Sequence, residues 1–100
     1  MPVHHKFTPS EKTLQITISG DFNFDVNTGF REVYRNINPS EVSSVSVNLK
    51  NTSYMDSSAL GMLLLLDEHF ENTRISLEEC PDYIQSVLQI ANFDQKFSIS

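Results

Sequence analysis

The first part of the chain alternates between polar and apolar residues. Over residues 13–19, each apolar side chain stands between two hydroxyl or amide side chains. This two-residue period is typical of a strand with one buried face, and residues 20–21 (Gly-Asp) would close it. Residues 3–8 are predicted to form an earlier strand, joined to the second by a hairpin turn over residues 9–12.

The next periodic segment has the spacing of a helix. Within residues 25–38, apolar side chains recur mostly at steps of three and four, which gathers them on one face of a helix. Asp25 or Asn27 would cap the start of this helix, and its end would come before Pro39.

Two further helices are predicted downstream. One begins at Asp56 or Ser57 and extends to about Asn72. The other opens at Pro81, a residue that suits the first turn of a helix, and carries apolar residues at helical spacing as far as Ile90.

Short apolar segments between the helices are predicted to be strands. They are residues 42–49, 74–79 and 97–100, whereas residues 51–55 are predicted to be a turn-rich loop. The resulting order is β-β-α-β-α-β-α-β. It indicates an α/β fold, with a mixed, mostly parallel sheet that carries an N-terminal hairpin and is packed by about three helices. One hundred residues is the length of one such domain, so residues 1–100 are expected to form a single unit.

The loop over residues 49–57 is the best candidate for a functional site, because sites in such sheets lie where strand ends meet helix starts. Asp56, Ser57 and Ser58 are all good N-cap residues, since their side-chain oxygens can accept unpaired N–H groups of the helix. A helix cap alone is therefore a sufficient explanation of this cluster.

The helix that follows has two distinct predicted faces. The core face consists of Ala59, Met62, Leu63, Leu66 and Phe70. The opposite face consists of Ser57, Ser58, Gly61, Leu64, Leu65 and Glu68. Leucines on an outward face indicate a docking surface, unless another element of the fold covers them.

A phosphate on either serine would suit the start of this helix, where N–H groups and the positive end of the helix dipole favour an anion. It would add roughly −1.5 to −2 charges near the exposed leucines. Asp56 would add like-charge repulsion. An acidic or apolar partner surface would then no longer bind, while the fold would change little. Phosphorylation would therefore act as a switch by abolishing partner binding.

Asn48-Leu49 and the segment 53–63 (Ser-Tyr-Met-Asp-Ser-Ser-Ala-Leu-Gly-Met-Leu) resemble the signature of STAS domains, and more narrowly that of bacterial anti-sigma factor antagonists. The Asp-Ser-Ser-Ala-Leu-Gly stretch is the specific part of the resemblance. Weaker similarity extends over nearly the whole chain and includes residues 20–23, Pro81 and residues 90–93.

The resemblance implies that Ser58 is phosphorylated by a partner serine kinase, which has an ATP-binding fold and doubles as an anti-sigma factor. It also implies a metal-dependent serine phosphatase that resets the switch. The unphosphorylated chain would bind the kinase or anti-sigma factor. The phosphosite loop would consist of Tyr54, Met55, Asp56 and Ser57.

The exposed helix face and the resemblance together indicate the partner-binding residues. They are Asn23, Asp25, Gly61, Leu64, Leu65 and Glu68. Many relatives have Asp in place of Asn23, so this chain keeps the hydrogen-bonding capacity at that position and loses the charge. Asp21 and Asp25 flank the position and keep the segment acidic.

Composition narrows the classes of partner. The net charge is −6 and the seven basic residues do not cluster, which disfavours nucleic acid and anionic membrane surfaces. The start of the chain lacks the apolar region of a signal peptide, and no apolar run approaches a membrane span. We therefore expect a cytoplasmic protein without membrane insertion. No cofactor is implied, and nothing demands more than a monomer when free.

Metal and enzyme chemistry find little support in the residue pattern. Cys80 is the only cysteine, and no set of side chains has the spacing of metal ligands. A serine nucleophile needs a nearby base, whereas His69 would lie roughly 16 Å along the helix from Ser58. We therefore expect no catalytic residue.

Related domains leave an alternative open. Some are accessory subunits of membrane lipid-transport ATPases, and others are sensor modules that bind small ligands. In the first case Leu64 and Leu65 would dock the ATPase, and Ser58 could be merely a cap. In the second, an apolar cavity would hold the ligand, although the glycine-rich loop of a nucleotide site is missing.

Overall fold

The alternating segments of the chain form the strands of one sheet in a computed structural model that describes residues 2–100. The strands are β1 (Val3–Thr8), β2 (Thr13–Phe22), β3 (Ser44–Met55), β4 (Ser76–Glu78) and β5 (Ser98–Ile99). The helices are α1 (Asn27–Tyr34), α2 (Ser57–His69) and α3 (Asp82–Ile90). Short 3₁₀ turns cover Pro9–Glu11, Phe24–Val26, Pro39–Glu41 and Phe93–Gln95.

The strands follow one another in the order β1-β2-β3-β4-β5. β1 and β2 are antiparallel and form the predicted hairpin, whereas each later pair is parallel. The parallel pairs follow from the helices, because each helix carries the chain back along the sheet between two strands. The predicted α/β fold with a mixed, mostly parallel sheet is therefore confirmed.

One face of the sheet carries the core. In β2 the side chains of Leu14, Ile16 and Ile18 are buried, while the residues between them are exposed or half-buried. The buried apolar residues of strands and helices form one continuous cluster. The helices therefore cover a single face of the sheet, and its other face presents polar side chains. The largest fully buried residues are Phe22, Phe30, Phe70 and Phe97.

The predicted caps of the first helix were wrong and the helix is shorter than the apolar segment over residues 25–38, although its predicted end before Pro39 is confirmed. α1 starts at Asn27 with Val26 at its N-cap, and no side chain caps it. The predicted cap residues lose this role because Asn23 caps the preceding 3₁₀ turn instead, accepting a hydrogen bond from Asp25 N–H at 3.0 Å. α1 ends at Tyr34, well before Pro39. The ends of the other elements are also shifted: α2 stops at His69 rather than near residue 72, and the last strands are shorter than predicted.

The predicted loop at residues 51–55 was also wrong, because this segment is the last part of β3. Buried positions in β3 fall at 45, 47 and 49 and then at 52 and 55. The step changes from two to three where the pairing with β2 shifts register, between Thr17 and Ser19 and again between Gly20 and Asp21. At each shift β3 holds one extra residue, which is a β-bulge. The two bulges therefore interrupt the two-residue period, so the pattern of the sequence does not reveal this part of the strand.

Candidate functional site

The carboxyl ends of β2 and β3 meet beside the start of α2. Phe22 pairs with Met55 in the last rung of the ladder, and the Asp56 N–H donates a hydrogen bond to the Phe22 carbonyl at 3.4 Å. The predicted phosphosite loop, residues 54–57, is not a loop in the structure: it consists of the end of β3, the cap Asp56 and the first residue of α2. These residues therefore lie next to the segment that follows β2. This segment contains Asn23 and Asp25, so both lie at the same edge of the sheet as residues 54–57.

A buried threonine holds this end of β3 in place. Thr52 is only 4% exposed, and its Oγ1 donates a hydrogen bond to the Ile18 carbonyl of β2 at 3.0 Å. The bond satisfies a buried hydroxyl and lies between the two bulges, where the regular ladder is disturbed. Thr52 was not identified from the sequence. Its only signal was the three-residue spacing from Leu49 and to Met55, which becomes meaningful once the bulges are known.

The start of α2 is capped by Asp56. Its backbone is extended, and its Oδ1 accepts a hydrogen bond from Ala59 N–H at 3.2 Å. Ser57 is the first residue of the helix and is exposed, whereas Ser58 is the second and is half-buried. Because the aspartate supplies the cap, the two serine hydroxyls are not needed for it. The capping role therefore belongs to Asp56 and not to Ser57 or Ser58.

The two predicted faces of α2 are confirmed. Ala59, Met62, Leu63 and Leu66 are buried, together with Phe70 just after the helix. On the opposite face Leu64 is 39% exposed and Leu65 is 51% exposed, with Gly61 and Glu68 exposed beside them. No element of the described chain, residues 2–100, covers these two leucines. Their role in binding a partner stays a prediction.

Two aromatic side chains extend the exposed apolar surface at this edge. Phe24 is 69% exposed and Tyr54 is 46% exposed. Met55, by contrast, is buried and anchors the end of β3 in the core. Phe24 was not identified as a site residue from the sequence. Its signal was local: Phe24 stands between buried Phe22 and buried Val26, but in a turn whose backbone points it outward.

Glu68 lies one turn beyond Leu64 and Leu65 on α2 and apart from the start of the helix. It is ten residues after Ser58 in α2, which corresponds to about 15 Å along the helix axis. The structure therefore brings together Asn23, Asp25 and residues 54–57 at one edge. Glu68 belongs to the other end of the helix.

The far end of α2 is fixed by aromatic packing. The His69 ring lies 5.1 Å from the Tyr34 ring and 4.7 Å from the Phe70 ring. Its Nε2 makes a 2.8 Å hydrogen bond with the Ile37 carbonyl. Burial raises the pKa of Tyr34, and the nearby Arg31 guanidinium partly opposes this shift. His69 is thus engaged at the opposite end of the helix from Ser58.

Two kinds of feature are absent from residues 2–100: a cluster of metal ligands and a helix that could span a membrane. This part of the chain contains no group of three or more His, Cys, Asp or Glu side chains placed to hold a metal ion. Cys80 is buried, and its burial raises the pKa of the thiol. None of the helices in the described chain has the length and apolar character needed to cross a membrane.

Comparison with known proteins identifies the fold. The anti-sigma factor antagonist SpoIIAA in its unphosphorylated form superposes with a TM-score of 0.76 at 19% identity, over 98% of this chain and 86% of that one. The Bacillus cell fate determinant SpoIIAA in the phosphorylated form gives a TM-score of 0.74 at 19% identity, over 98% of this chain and 90% of that one. At this level of identity the likeness concerns the fold alone.

Sequence comparison identifies the family. The chain is 45% identical over 89 residues to a STAS-domain containing protein of Pseudomonas aeruginosa (strain UCBPP-PA14), and the match covers 87% of each chain. The family model described as "Mlab, STAS domain" matches residues 5–99. The chain therefore belongs to the STAS domain family.

Proposed function

We propose that this chain is a phosphorylation-controlled partner-switching regulator of the anti-sigma factor antagonist type, formed as one domain over residues 1–100. In its unphosphorylated form it binds a serine kinase that has an ATP-binding fold and acts as an anti-sigma factor or an equivalent regulator. Phosphorylation of Ser58 abolishes this binding, and a metal-dependent serine phosphatase restores it. The chain itself performs no catalysis.

The position of Ser58 in the first turn of α2 carries this proposal. The Asp56 carboxylate caps the helix, so Ser58 can be modified without removing the cap. A phosphate there would lie at the positive end of the helix dipole, where an anion is favoured. The fold itself would therefore tolerate the modification. SpoIIAA supports this view, because the present fold matches its unphosphorylated and its phosphorylated forms almost equally well.

The surroundings of Ser58 suggest how phosphate would disrupt binding. Phe24, Tyr54 and Leu64 provide exposed apolar surface near this edge, while Asp25 and Asp56 provide negative charge. A phosphate adds roughly −1.5 to −2 charges and a tightly held hydration shell to this apolar surface. A partner that buries the surface would have to desolvate the phosphate, which is costly without compensating cations. We propose that Asn23, Asp25, Gly61, Leu64, Leu65 and Glu68 contact the partner.

A second candidate function rests on the exposed leucines and on the description of the matching family model. Leu64 is 39% exposed and Leu65 is 51% exposed, and the matching model is described as "Mlab, STAS domain". In this alternative the chain is an accessory subunit of a membrane lipid-transport ATPase. The leucines then dock the ATPase, and Ser58 has no regulatory role.

Peptide mapping of the chain from its native host tests the proposal. We expect a phosphate on the peptide that contains Ser58, and we expect it to be lost in Ser58→Ala. Ser57→Ala is the matched control, because it removes the neighbouring hydroxyl from the same helix turn and should leave the phosphate in place. Ser58→Ala should also retain a serine kinase in pull-downs that Ser58→Asp does not.

Two outcomes would contradict the proposal. One is the absence of phosphate on Ser58 under every growth condition, with Ser58→Ala and Ser58→Asp capturing the same proteins. The other is a phosphate that persists in Ser58→Ala and disappears in Ser57→Ala. Capture of a transporter ATPase that depends on Leu64 and Leu65 would then favour the accessory subunit.

A further inference from the structure

A groove runs between the C-terminal parts of α1 and α2, away from the edge where Ser58 lies. Its volume is about 310 Å³, and it is lined by Arg31, Tyr34, Arg35, Leu65, Glu68 and His69. Leu65 supplies an exposed apolar wall on the α2 side. The α1 side supplies two guanidinium groups one helical turn apart. The groove therefore combines an apolar surface with a cationic rim.

The cationic rim stands out because the chain is acidic. The net charge is −6 and only seven side chains are basic. Arg74 donates its hydrogen bonds to the segment before β5, and Lys96 lies 3.8 Å from Asp67. Arg31 and Arg35 are instead exposed on the same helix face.

The charges of these two arginines are largely available. Arg35 Nη1 lies 3.2 Å from Glu32 Oε1, but both side chains are about half exposed, and such surface pairs contribute only about 0–1 kcal/mol. Among residues 2–100, no carboxylate forms an ion pair with Arg31. Glu68 faces the groove from α2 and keeps that wall negative. An occupant would therefore orient its negative charge toward α1.

We propose that this groove binds a segment of a partner protein that carries an apolar side chain and at least one carboxylate. The apolar side chain packs on Leu65, and the carboxylate meets Arg31 and Arg35. Guanidinium groups suit this role because they bind carboxylates in a two-pronged geometry. The inference deepens the proposed function and rests on it, since it names the chemistry of the partner.

The groove is close enough to Ser58 for phosphate to act on its occupant. Leu65 follows Ser58 by seven residues in α2, so the two lie on the same face about 10 Å apart along the axis. This distance is about one Debye length at moderate ionic strength, roughly 8–10 Å. At this separation salt screens the repulsion substantially, so a phosphate on Ser58 would weaken the binding of an acidic segment most at low ionic strength.

A displayed library of short segments, tiled across the proteins of the host organism, provides the probe. The purified full chain is immobilised, and the enriched segments are synthesised as labelled peptides for fluorescence polarisation. We expect these peptides to combine Asp or Glu with a neighbouring Leu, Ile, Phe or Met. In the double variant Arg31→Glu/Arg35→Glu, their binding should weaken about tenfold or more, because opposite charges become like charges. Leu65→Ala should weaken binding as well.

The control is Lys6→Glu, which makes one charge reversal of the same kind, half of the charge change in the double variant, on the other face of the sheet. Lys6 pairs with Gln15 in the hairpin and shares its face, and this face is opposite to the buried Leu14 and Ile16. It should leave peptide binding unchanged. If the double charge reversal unfolds the chain, as judged by circular dichroism, Arg31→Gln/Arg35→Gln gives the same test with a smaller expected effect.

Several results would overturn the inference. They are a lack of enriched segments, enriched segments without an excess of carboxylates, or equal weakening by Lys6→Glu. Self-association abolished by Leu65→Ala would assign the groove to a second copy of the chain instead.

Ser58→Asp separates this inference from the proposed function. Binding lost in Ser58→Asp but kept in the arginine variants would reject the groove and leave the switch intact. Binding lost in the arginine variants but kept in Ser58→Asp would support the groove and count against the switch.

Discussion

The two ends of α2 meet different surroundings. At its start, the helix depends on one carboxylate cap from Asp56 and stands beside the bulged end of β3. Exposed apolar side chains surround this end, with Phe24 69% and Tyr54 46% exposed. At its other end, the His69 ring is held by a hydrogen bond to the Ile37 carbonyl and by aromatic contacts.

The difference indicates a division of labour along one helix. The aromatic side chains of Phe30, Tyr34 and Phe70 are buried and in contact at the far end, where they hold α2 against α1. The first turn contributes less burial and can therefore change its charge at little cost to the fold. A switch residue needs such a position, because a modification within the core would unfold the domain.

The largest expected effect is a loss of stability at the aromatic end of α2. Phe70→Ala should lower the free energy of unfolding by about 3–5 kcal/mol, the usual cost of removing a buried phenyl ring. Phe70 is 1% exposed and contacts both Tyr34 and His69. The measurement is urea denaturation monitored by circular dichroism.

Phe24→Ala is the matched control at the other end, since it removes the same side chain from an exposed turn. It should change the free energy of unfolding by less than about 0.5 kcal/mol, as surface substitutions usually do. Equal losses of stability in the two variants would show that the ends of α2 do not differ in this way.

The regular parts of the fold could be predicted from the sequence because each element kept one period. β2 shows a two-residue period and α2 a helical one, so the hairpin, the parallel sheet and the two faces of α2 were predicted correctly. The outward position of Leu64 and Leu65 followed from the same helical geometry. These features depend on local spacing alone.

The start of α2 was predicted correctly, but other features of the candidate site escaped prediction because their geometry depends on partners distant in the chain. The two bulges in β3 are defined by its pairing with β2, and a single sequence does not reveal where register shifts. The hydroxyl of Thr52 finds its acceptor on Ile18, thirty-four residues away. The cap at Asn23 was missed because the short turn before α1 has no periodicity of its own.

A smaller effect is expected at the start of α2. Asp56→Ala removes the side chain that accepts a hydrogen bond from Ala59 N–H, and loss of such a cap costs about 1 kcal/mol. Asp56→Asn is the matched control, because asparagine caps helices about as well as aspartate. Chemical denaturation of both variants measures the difference.

The two Asp56 variants also test whether the two ends of α2 differ in their contribution to stability. Asp56→Asn should keep the stability of the wild type while removing one negative charge beside Ser58. If Asp56→Ala proved as costly as Phe70→Ala, the first turn of α2 would be as important to the fold as the aromatic end. The proposed division of labour would then be wrong.

The smallest expected effect concerns alkaline pH at the aromatic end. Burial raises the pKa of Tyr34, although Arg31 partly opposes the shift. The folded chain therefore holds the phenol proton more tightly than the unfolded chain does. This contribution to stability is fully present below the ordinary tyrosine pKa of about 10 and is lost as the pH rises through the higher pKa of the folded state.

Tyr34→Phe isolates this contribution, because Cys80, whose thiol pKa is also raised by burial, is present in both proteins. The wild type should lose more stability than Tyr34→Phe when urea denaturation is repeated from neutral pH to above about pH 10, where tyrosine ordinarily ionises. Tyr83→Phe is the matched control at a 53% exposed position and should keep the profile of the wild type. If Tyr34→Phe kept the same alkaline loss, the phenol of Tyr34 would be hydrated in the folded chain. The groove between α1 and α2 would then admit water as far as its aromatic floor, and the far end of α2 would be less tightly packed than its ring contacts indicate.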